Sequence, residues 1–402
     1  MLADRVDDVA ALLQDAGHDA WFLQDFHGSN PIAVRMLGLR PEQLATRRCG
    51  VCIHASGEVR VLAHRIEQDI LGHWPGERFY YASYDEYAAG VASLIDGAHS
   101  IACEYSPRNR NPYLSYLDAG TVDLLRSGSS DSEPRPELIE SGWLAQNFEA
   151  VLSDRQVDQY ERSVAITSAA FGHATAFVRD RLRSGEPATE REVQSVILNH
   201  FDAHNLDPDH PPIVAVGPNS GQPHYETGTG PQTAIGPDSV LLIDLWGKLR
   251  EPGAVFSDFT RMFYTGSSVP PVVAARFALA AAARDAAIDR LKSSVGTGRL
   301  VPGAELDRVA RDLITGARQG DLFTHRLGHS ITTDLHGSGA HLDSFEIIED
   351  RKLIPGLLFS VEPGLYDDQF GIRTEVNVRI DSDGQPHVYA GGPLQTEIDR
   401  LT

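Results

Sequence analysis

Short apolar runs alternate with amphipathic segments through the first 145 residues. Val6, Val9, Leu12 and Leu13 recur at helical spacing, which predicts a helix, and a further helix is predicted over Tyr87–Ile95. Four apolar runs predict strands, at Ala20–Leu23, Gly50–His54, Val59–Ala63 and Ser100–Cys103. Strands that alternate with helices indicate an α/β unit with a mostly parallel or mixed sheet. The polar, turn-rich segment Arg126–Pro136 is expected to be a surface loop.

The pattern changes at Ser153, where long helical segments begin. Ser153 with Gln156 and Thr189 with Glu192 each have the spacing of a capping box at a helix start. Apolar periodicity predicts helices over Asp154–Arg183, after Thr189, over Val272–Ser293 and over Ala304–Ala317. Strand pairs lie between and after these helices. We therefore expect an α/β domain over residues 1–150 and an α+β domain over residues 151–402.

One predicted hairpin of the second domain carries two aspartates. Asp244 directly follows the apolar run Val240–Ile243, and Asp258 lies on the other side of a turn predicted at Glu251-Pro252-Gly253. Both aspartates are equally far from Glu251. In a hairpin without a bulge they would face each other, with their Cβ atoms about 5 Å apart.

A second predicted hairpin carries two glutamates in the same relation. Glu362 follows the apolar run Leu357–Val361, and Glu375 lies at the same distance beyond Asp368-Gln369. A carboxylate at the end of a buried strand is costly unless it is paired or coordinated, although any one of these residues alone could be a solvated side chain. Two such pairs predict a dinuclear metal centre.

A glycine- and histidine-rich stretch, THRLGHSITTDLHGSGAHLD, lies between the two hairpins. It contains four histidines, His325, His329, His336 and His341. A single histidine is usually an ordinary core or surface residue, but four so close together favour a metal or catalytic role. A zinc site would also use histidines, yet the spacing lacks the H-E-x-x-H geometry of a helix.

Composition limits the partners and the compartment. The 402 residues are 42% hydrophobic and 23% charged, as in a soluble globular protein, and the net charge of −21 argues against nucleic acid or an anionic membrane as partner. Three cysteines offer no disulfide framework, and no signal peptide or apolar run of about 20 residues occurs, so we expect a cytoplasmic protein. Cys49 and Cys52 have C-x-x-C spacing but lie in a predicted strand, which favours buried thiols. Gly217–Gly221 lacks the ending of a phosphate loop and is expected to present His224.

The order Asp244, Asp258, His329, Glu362, Glu375 resembles that of the M24 metallopeptidases. The segments GHS, VEPGLY and GIRTEVNV around the histidine and the two glutamates carry the same resemblance. This family includes methionine aminopeptidases, Xaa-Pro aminopeptidases and prolidases. The resemblance covers roughly residues 155–402 and implies a pita-bread fold, and the first 150 residues resemble a creatinase-type N-terminal domain.

The resemblance implies a role for each site residue. Two divalent ions, Mn²⁺ first and Zn²⁺ or Co²⁺ next, would be bound by the five ligands just named, with Asp258 and Glu375 bridging. A water between the ions would attack the scissile carbonyl, with Glu362 carrying its proton. His336 would stabilise the developing oxyanion, His224 and His325 would position the substrate, and Arg373 would hold a ligand carboxylate.

The substrate implied is a small peptide with proline at its second position. A prolidase, an Xaa-Pro dipeptidase, is favoured over an Xaa-Pro aminopeptidase that accepts longer peptides, because the chain has only two domains with a compact first one. A methionine aminopeptidase is disfavoured by the large N-terminal domain. Two remote alternatives are a creatinase-like C–N hydrolase and a non-catalytic peptide-binding module, both of which tend to lose the ligands. The interval between Asp244 and Asp258 is longer than usual in the family, and a homodimer is expected.

Overall fold

The structure is a computed structural model, which describes residues 1–40, 45–128, 135–229, 233–295 and 297–402. Residues 129–134 of the predicted loop Arg126–Pro136 lie outside the described residues. The chain forms two compact units, Met1–Phe148 and Glu149–Thr402. Among the residues described, no helix is both long and apolar enough to cross a membrane.

The first unit is a six-stranded mixed sheet with helices. Its strands are β1 Ala20–Asp25, β2 Cys49–His54, β3 Val59–His64, β4 Glu77–Tyr81, β5 Ser100–Cys103 and β6 Glu137–Glu140. Its helices are α1 Val6–Ala16, α2 Pro31–Leu37, α3 Tyr84–Leu94, α4 Ala119–Ser127 and α5 Gly142–Glu149. The strand order is β4-β3-β2-β1-β5-β6, and β2 is antiparallel to β1 and β3 while the other pairs are parallel.

The four predicted strands of this unit are confirmed, and two others were not predicted. β4 and β6 are the outermost strands of the sheet, and most of their side chains are exposed or half-buried. An edge strand therefore lacks the apolar run on which the prediction depends. The prediction for Cys49 and Cys52 is also confirmed, since both are free and buried in β2 and burial raises the pKa of each thiol to about 12.

The second unit surrounds a central hairpin with helices and further strands. Its helices are α6 Asp154–Ser184, α7 Glu190–Ala203, α8 Pro271–Val295 and α9 Gly303–Gly316. Its strands are β7 Leu206–Asp207, β8 Ile213–Val216, β9 Val240–Leu249, β10 Ser257–Tyr264, β11 Leu358–Val361, β12 Gly364–Tyr366, β13 Gly371–Arg373, β14 Val376–Ile380, β15 Pro386–Tyr389 and β16 Asp399–Arg400. Both predicted capping boxes are present, with Ser153 and Thr189 as the N-caps of α6 and α7. Because a capping box involves only the N-cap residue and the residue three positions later, the starts of these two helices could be predicted from the local sequence.

The central hairpin, β9 with β10, has one helix pair on each face. Leu241 and Ile243 pack with residues of α6 and α7, whereas Val240 and Leu242 pack with residues of α8 and α9. Strand residues two apart share a face, so Asp244 lies on the same face as Leu242, toward α8, α9 and β11–β14. That face carries the candidate site.

A buried carboxylate ties together several elements of the first unit. Glu104 follows β5 and is fully buried. Its Oε1 accepts hydrogen bonds from Trp21 Nε1 at 3.1 Å and Ser141 Oγ at 2.8 Å, and its Oε2 accepts one from Asn30 Nδ2 at 2.9 Å. Asn30 cannot reverse its amide, because its Oδ1 caps α2 through the N–H of Ala33. The carboxylate thus meets three donors, and two of them, the Trp21 indole and the Asn30 amide, cannot turn to accept instead.

Glu104→Gln should destabilise the first unit by about 1–3 kcal/mol, because the new amide directs a donor at one of these donors and leaves a buried group unpaired. Urea unfolding followed by tryptophan fluorescence measures this, since Trp21, Trp74 and Trp143, three of the four tryptophans, lie in this unit. Glu77→Gln, at an exposed position, is the matched control and should change the stability by less than about 0.5 kcal/mol. An unchanged urea midpoint for Glu104→Gln would refute this account.

Candidate metal and catalytic site

The two aspartates of the first hairpin do not face each other, so that prediction is wrong. Asp244 pairs with Thr260 and Asp258 pairs with Trp246. The turn at Glu251 is present, with the Ala254 N–H donating to the Glu251 carbonyl at 3.1 Å, but it is centred one residue later than the prediction assumed. That displacement shifts the pairing by two residues. The two aspartates therefore share one face as diagonal neighbours, a relation that spans about 7–8 Å rather than 5 Å.

The two glutamates of the second hairpin do face each other, as predicted. Val361 pairs with Val376 on one side and Gly364 with Arg373 on the other, so the register is continuous and places Glu362 opposite Glu375. The ladder is interrupted at the glutamates themselves. The Glu362 N–H donates to the Leu327 carbonyl at 2.8 Å, and the Glu375 N–H donates to the Thr260 carbonyl at 3.2 Å. These two bonds join the second hairpin to the histidine loop and to the first hairpin.

His329 is held between the loop and β11. Its N–H donates to Ser360 Oγ at 3.0 Å, and its carbonyl accepts from the Ser360 N–H at 2.8 Å. The backbone approaches so closely here that a Cβ on Gly328 would lie 2.0 Å from the Ser360 carbonyl oxygen. Only glycine fits at that position.

The orientation of the His329 ring directs the lone pair of Nε2 toward two carboxylate oxygens. Nδ1 lies 3.2 Å from the Ser330 carbonyl, which can only accept, so Nδ1 carries the hydrogen. Nε2 lies 3.3 Å from Asp258 Oδ2 and 3.5 Å from Glu362 Oε1. Three acceptors that point at one another are stable only when a proton or a cation lies among them.

The five candidate metal ligands, Asp244, Asp258, His329, Glu362 and Glu375, come together in one cluster. Asp258, His329 and Glu375 each offer an atom within 4.8 Å of the other two, a spacing that suits bonds of about 2.0–2.2 Å to one ion. Burial raises the pKa of the Asp258 carboxyl well above its usual range, and the charge of Asp244 raises it further. Burial does the same for Glu375, with the charge of Asp258 as the next cause. Burial also raises the pKa of Asp244, and that of Glu362 to about 7. Asp244 Oδ1 has no hydrogen-bond partner in the described part of the chain. Divalent cations would fit this oxygen-rich set.

Arg373 is brought to the predicted place beside a carboxylate. Its guanidinium donates to Asp244 Oδ2, and its Nε donates to Thr260 Oγ1 at 2.9 Å. Thr260 in turn donates to Glu375 Oε2 at 2.9 Å. One arginine therefore orients carboxylates of both hairpins, directly in one case and through a hydroxyl in the other.

His325 joins the same network through a tyrosine. Its Nδ1 lies 2.7 Å from the Arg326 carbonyl and so carries the hydrogen, which leaves Nε2 to accept from the Tyr366 hydroxyl at 3.0 Å. That hydroxyl accepts from Arg373 at 3.2 Å. Burial, then the charge of Arg373, lowers the pKa of His325 to about 3, so its ring is neutral near pH 7.

The other predicted histidines lie at different depths. His336 has an exposed side chain, and its ring centroid lies 4.4 Å from that of His329. Desolvation by neighbouring protein atoms, then the charges of Arg326 and His224, lowers the pKa of His336 to about 4. His224 is exposed beside a cavity of about 490 Å³. His341 is buried and accepts the Ser330 N–H at 3.1 Å, so it supports the backbone next to His329.

Besides Tyr366, three polar residues that hydrogen-bond candidate metal ligands were not predicted. Ser360 donates to Glu362 at 3.2 Å, Thr260 contacts Glu375, and Asn377 brackets Asp258 by accepting its N–H at 3.0 Å and donating to its carbonyl at 2.7 Å. Each lies two residues from a ligand candidate along a strand and therefore on its face. The period of two was the signal that could have identified them.

Comparison with known proteins identifies relatives of the whole chain. Residues 158–382 match the metallopeptidase family M24. The putative dipeptidase YkvY of Bacillus subtilis (strain 168) is 32% identical over 385 residues, which cover 95% of this chain and 96% of that protein. The Xaa-Pro dipeptidase of Lactobacillus helveticus is 32% identical over 174 residues, 43% of this chain and 42% of that protein. The chain thus matches less than half the length of this second relative.

Solved structures share the fold over nearly the whole length. The dipeptidase PepE from Mycobacterium ulcerans has a TM-score of 0.68 at 21% identity and covers 100% of this chain and 98% of its own. The prolidase from Pyrococcus horikoshii OT3 has a TM-score of 0.60 at 18% identity, with 99% of each chain covered. These likenesses confirm the predicted fold class, an α+β pita-bread architecture preceded by an α/β domain.

Thr260→Val should weaken divalent-cation binding by about 10–100-fold, because it removes the hydroxyl that links Arg373 to Glu375 without changing the shape of the side chain. Titration of the metal-free protein with Mn²⁺ measures the effect. Thr175→Val is the matched control, since Thr175 is also buried and its hydroxyl donates to backbone carbonyls of α6. Equal Mn²⁺ affinity in the two variants would contradict the role of Thr260.

Proposed function

The chain belongs to the metallopeptidase family M24, and on that premise we propose that it is an Xaa-Pro dipeptidase that uses two divalent metal ions. One observation carries the proposal most directly. The His329 Nε2 lone pair faces Asp258 and Glu362 in a buried, oxygen-rich cluster, an arrangement that suits a cation. The relatives named as dipeptidases support the choice of substrate.

The residues that would hold the ions are Asp244, Asp258, His329, Glu362 and Glu375. When bound, the ions would polarise the scissile carbonyl and lower the pKa of water at the site. The single imidazole among carboxylates favours hard or borderline ions, with Mn²⁺ as our first choice and Zn²⁺ or Co²⁺ next. The catalytic domain so defined comprises residues 151–402, after an N-terminal domain over residues 1–150.

Glu362 is the proposed carrier of the proton that moves during hydrolysis. Its Oε1 lies 3.5 Å from His329 Nε2 within the cluster, so its carboxyl can take a proton from water held there and release it again. Ser360 Oγ holds one of its oxygens at 3.2 Å, which keeps the group oriented toward the cluster. The same carboxyl can then protonate the amine of the departing residue.

The histidines are proposed to act on the substrate. His336 is exposed yet its ring contacts that of His329, so it can reach a carbonyl oxygen next to the cluster and donate to the charge that develops there. His325 is fixed by Tyr366, and His224 is one of the residues that line the cavity, so both can position the peptide. Arg373 orients Asp244 and does not need to contact the substrate.

Further parts of the proposal concern assembly and compartment. The bond that precedes proline has no N–H, so shape and apolar contact rather than that donor must recognise the ring.

We propose a homodimer, and a cytoplasmic location that suits three free, buried cysteines. The substrate is a small peptide with proline at its second position.

Removal of the metal should abolish hydrolysis of Ala-Pro and Gly-Pro, because the carboxylates cannot activate water alone. Dialysis against a chelator followed by addition of Mn²⁺ should restore the rate, with elemental analysis to count bound ions. An untreated sample carried through the same dialysis without chelator is the control. Activity that survives chelation would refute the proposal, and faster cleavage of Xaa-Pro-Xaa than of Xaa-Pro peptides would favour an Xaa-Pro aminopeptidase.

His336→Gln should lower kcat by about 10²–10³-fold with little change in bound metal, because it removes a donor to the developing oxyanion. Steady-state kinetics on Ala-Pro, with metal content measured on the same samples, gives both quantities. His99→Gln, at an exposed position of the first unit, is the control and should leave kcat unchanged. A wild-type kcat for His336→Gln would exclude this role.

A further inference from the structure

A cavity of about 490 Å³ lies in the second unit next to the carboxylate cluster. His224 lines this cavity, and the carbonyl of the preceding residue, Pro223, accepts a hydrogen bond from Arg373 Nη1 at 3.3 Å. The same guanidinium donates to Asp244, one of the proposed metal ligands. One arginine therefore joins the segment that lines the cavity to the cluster. The volume lies within the range of about 300–1,000 Å³ that small-molecule pockets have.

The segment that leads into the cavity is packed tightly against the second hairpin. The Gly371 N–H of β13 donates to Ser220 Oγ at 2.9 Å. A Cβ on Gly221 would lie 2.1 Å from the Asp367 carbonyl oxygen, so only glycine fits there. The two glutamates of the cluster flank β12 and β13, so the cavity keeps a fixed position relative to the proposed ligands.

Hydrogen bonds within the protein occupy the donors of three residues that line the cavity. Buried Glu190 accepts from the Tyr225 hydroxyl at 2.7 Å and from Asn219 Nδ2 at 3.0 and 3.2 Å. Burial, then the hydrogen bond to Glu190, raises the pKa of Tyr225 to about 12, so this hydroxyl keeps its hydrogen. Thr229 Oγ1 donates to the Glu226 carbonyl at 2.8 Å. What these residues can offer to a ligand is therefore the lone pairs of their oxygens.

Glu226 brings a carboxylate to the same lining. Its side chain is exposed, and in the part of the chain that the structure describes it forms no ion pair and accepts no hydrogen bond. Arg191 comes close to this segment but donates to the Gly228 carbonyl at 3.0 Å. Among the described residues, the lining contains no lysine or arginine. Lone pairs together with one free carboxylate complement a ligand that carries positive charge and several N–H groups.

We propose that this cavity holds the side chain of the first residue of the substrate and favours long cationic side chains, those of lysine and arginine. In the proposed dipeptidase, on which this inference rests, the carbonyl of the first residue must lie at the cluster for its bond to be cleaved. The side chain of that residue then extends into the neighbouring cavity. There Glu226 would pair with the terminal ammonium or guanidinium group, and Asn219 Oδ1 would accept from it.

Substrates that differ in the charge of the first side chain test the proposal. On the full chain with Mn²⁺, kcat/KM is measured for Lys-Pro and for norleucyl-Pro, whose first side chain is unbranched and of similar length but uncharged. Wild type should cleave Lys-Pro about fivefold more efficiently, the effect expected of one ion pair in contact with solvent. Glu226→Gln should bring this ratio close to one. Glu226→Lys should reverse the preference, with Glu-Pro cleaved faster than Lys-Pro.

Glu397→Gln is the matched control, because it removes an exposed carboxylate that does not line the cavity, and it should keep the wild-type ratio. If Glu226 instead binds the α-amino group, which all these substrates share, Glu226→Gln would lower both rates equally and leave the ratio unchanged, which would overturn the proposal. A wild-type ratio of one would also overturn it, while hydrolysis of Ala-Pro still supported the proposed function. A wild-type protein that cleaves no Xaa-Pro peptide would refute the proposed function itself, and this inference with it.

Discussion

The burial of four carboxylates around one neutral imidazole is the constraint on which the second unit depends. Burial raises the pKa of each of Asp244, Asp258, Glu362 and Glu375, and among the described residues one guanidinium, that of Arg373, donates directly to one of them. Leaving charges buried without compensation costs several kcal/mol each. The hydroxyls and amides around the cluster orient the carboxylates but do not neutralise them, so a cation or protons must supply the remaining charge.

Buried backbone in strands and at strand ends carries most of the proposed metal ligands, whereas His224 and His336, proposed to contact the substrate, lie on more exposed segments. Asp244 and Asp258 lie in β9 and β10, and the two glutamates interrupt a second hairpin. His224 and His336, in contrast, lie on exposed loops. This division suits a peptidase, because the ions need fixed distances whereas peptides with different first residues need a surface that adapts.

The sequence predicted the helices and the composition of the site better than its geometry. Capping residues such as Ser153 and Thr189 act locally, so the starts of α6 and α7 were correct. The register of the second hairpin was also correct, but that of the first was wrong, since centring the turn on Glu251 instead of one residue later moves every partner by two. Arg373 could be placed beside a carboxylate, whereas the contacts of Tyr366 with His325 and Arg373 depend on tertiary packing, which no local pattern encodes.

The break in the second hairpin provides two backbone amides whose hydrogen exchange reports on opening of the site. The amide hydrogens of Glu362 and Glu375 do not bond their own hairpin but cross to Leu327 and to Thr260. Each can exchange with solvent deuterium only when the segments that hold the ligands separate from one another. The exchange rates of these two amides therefore measure how often the centre comes apart, and do so in the protein without ion or substrate.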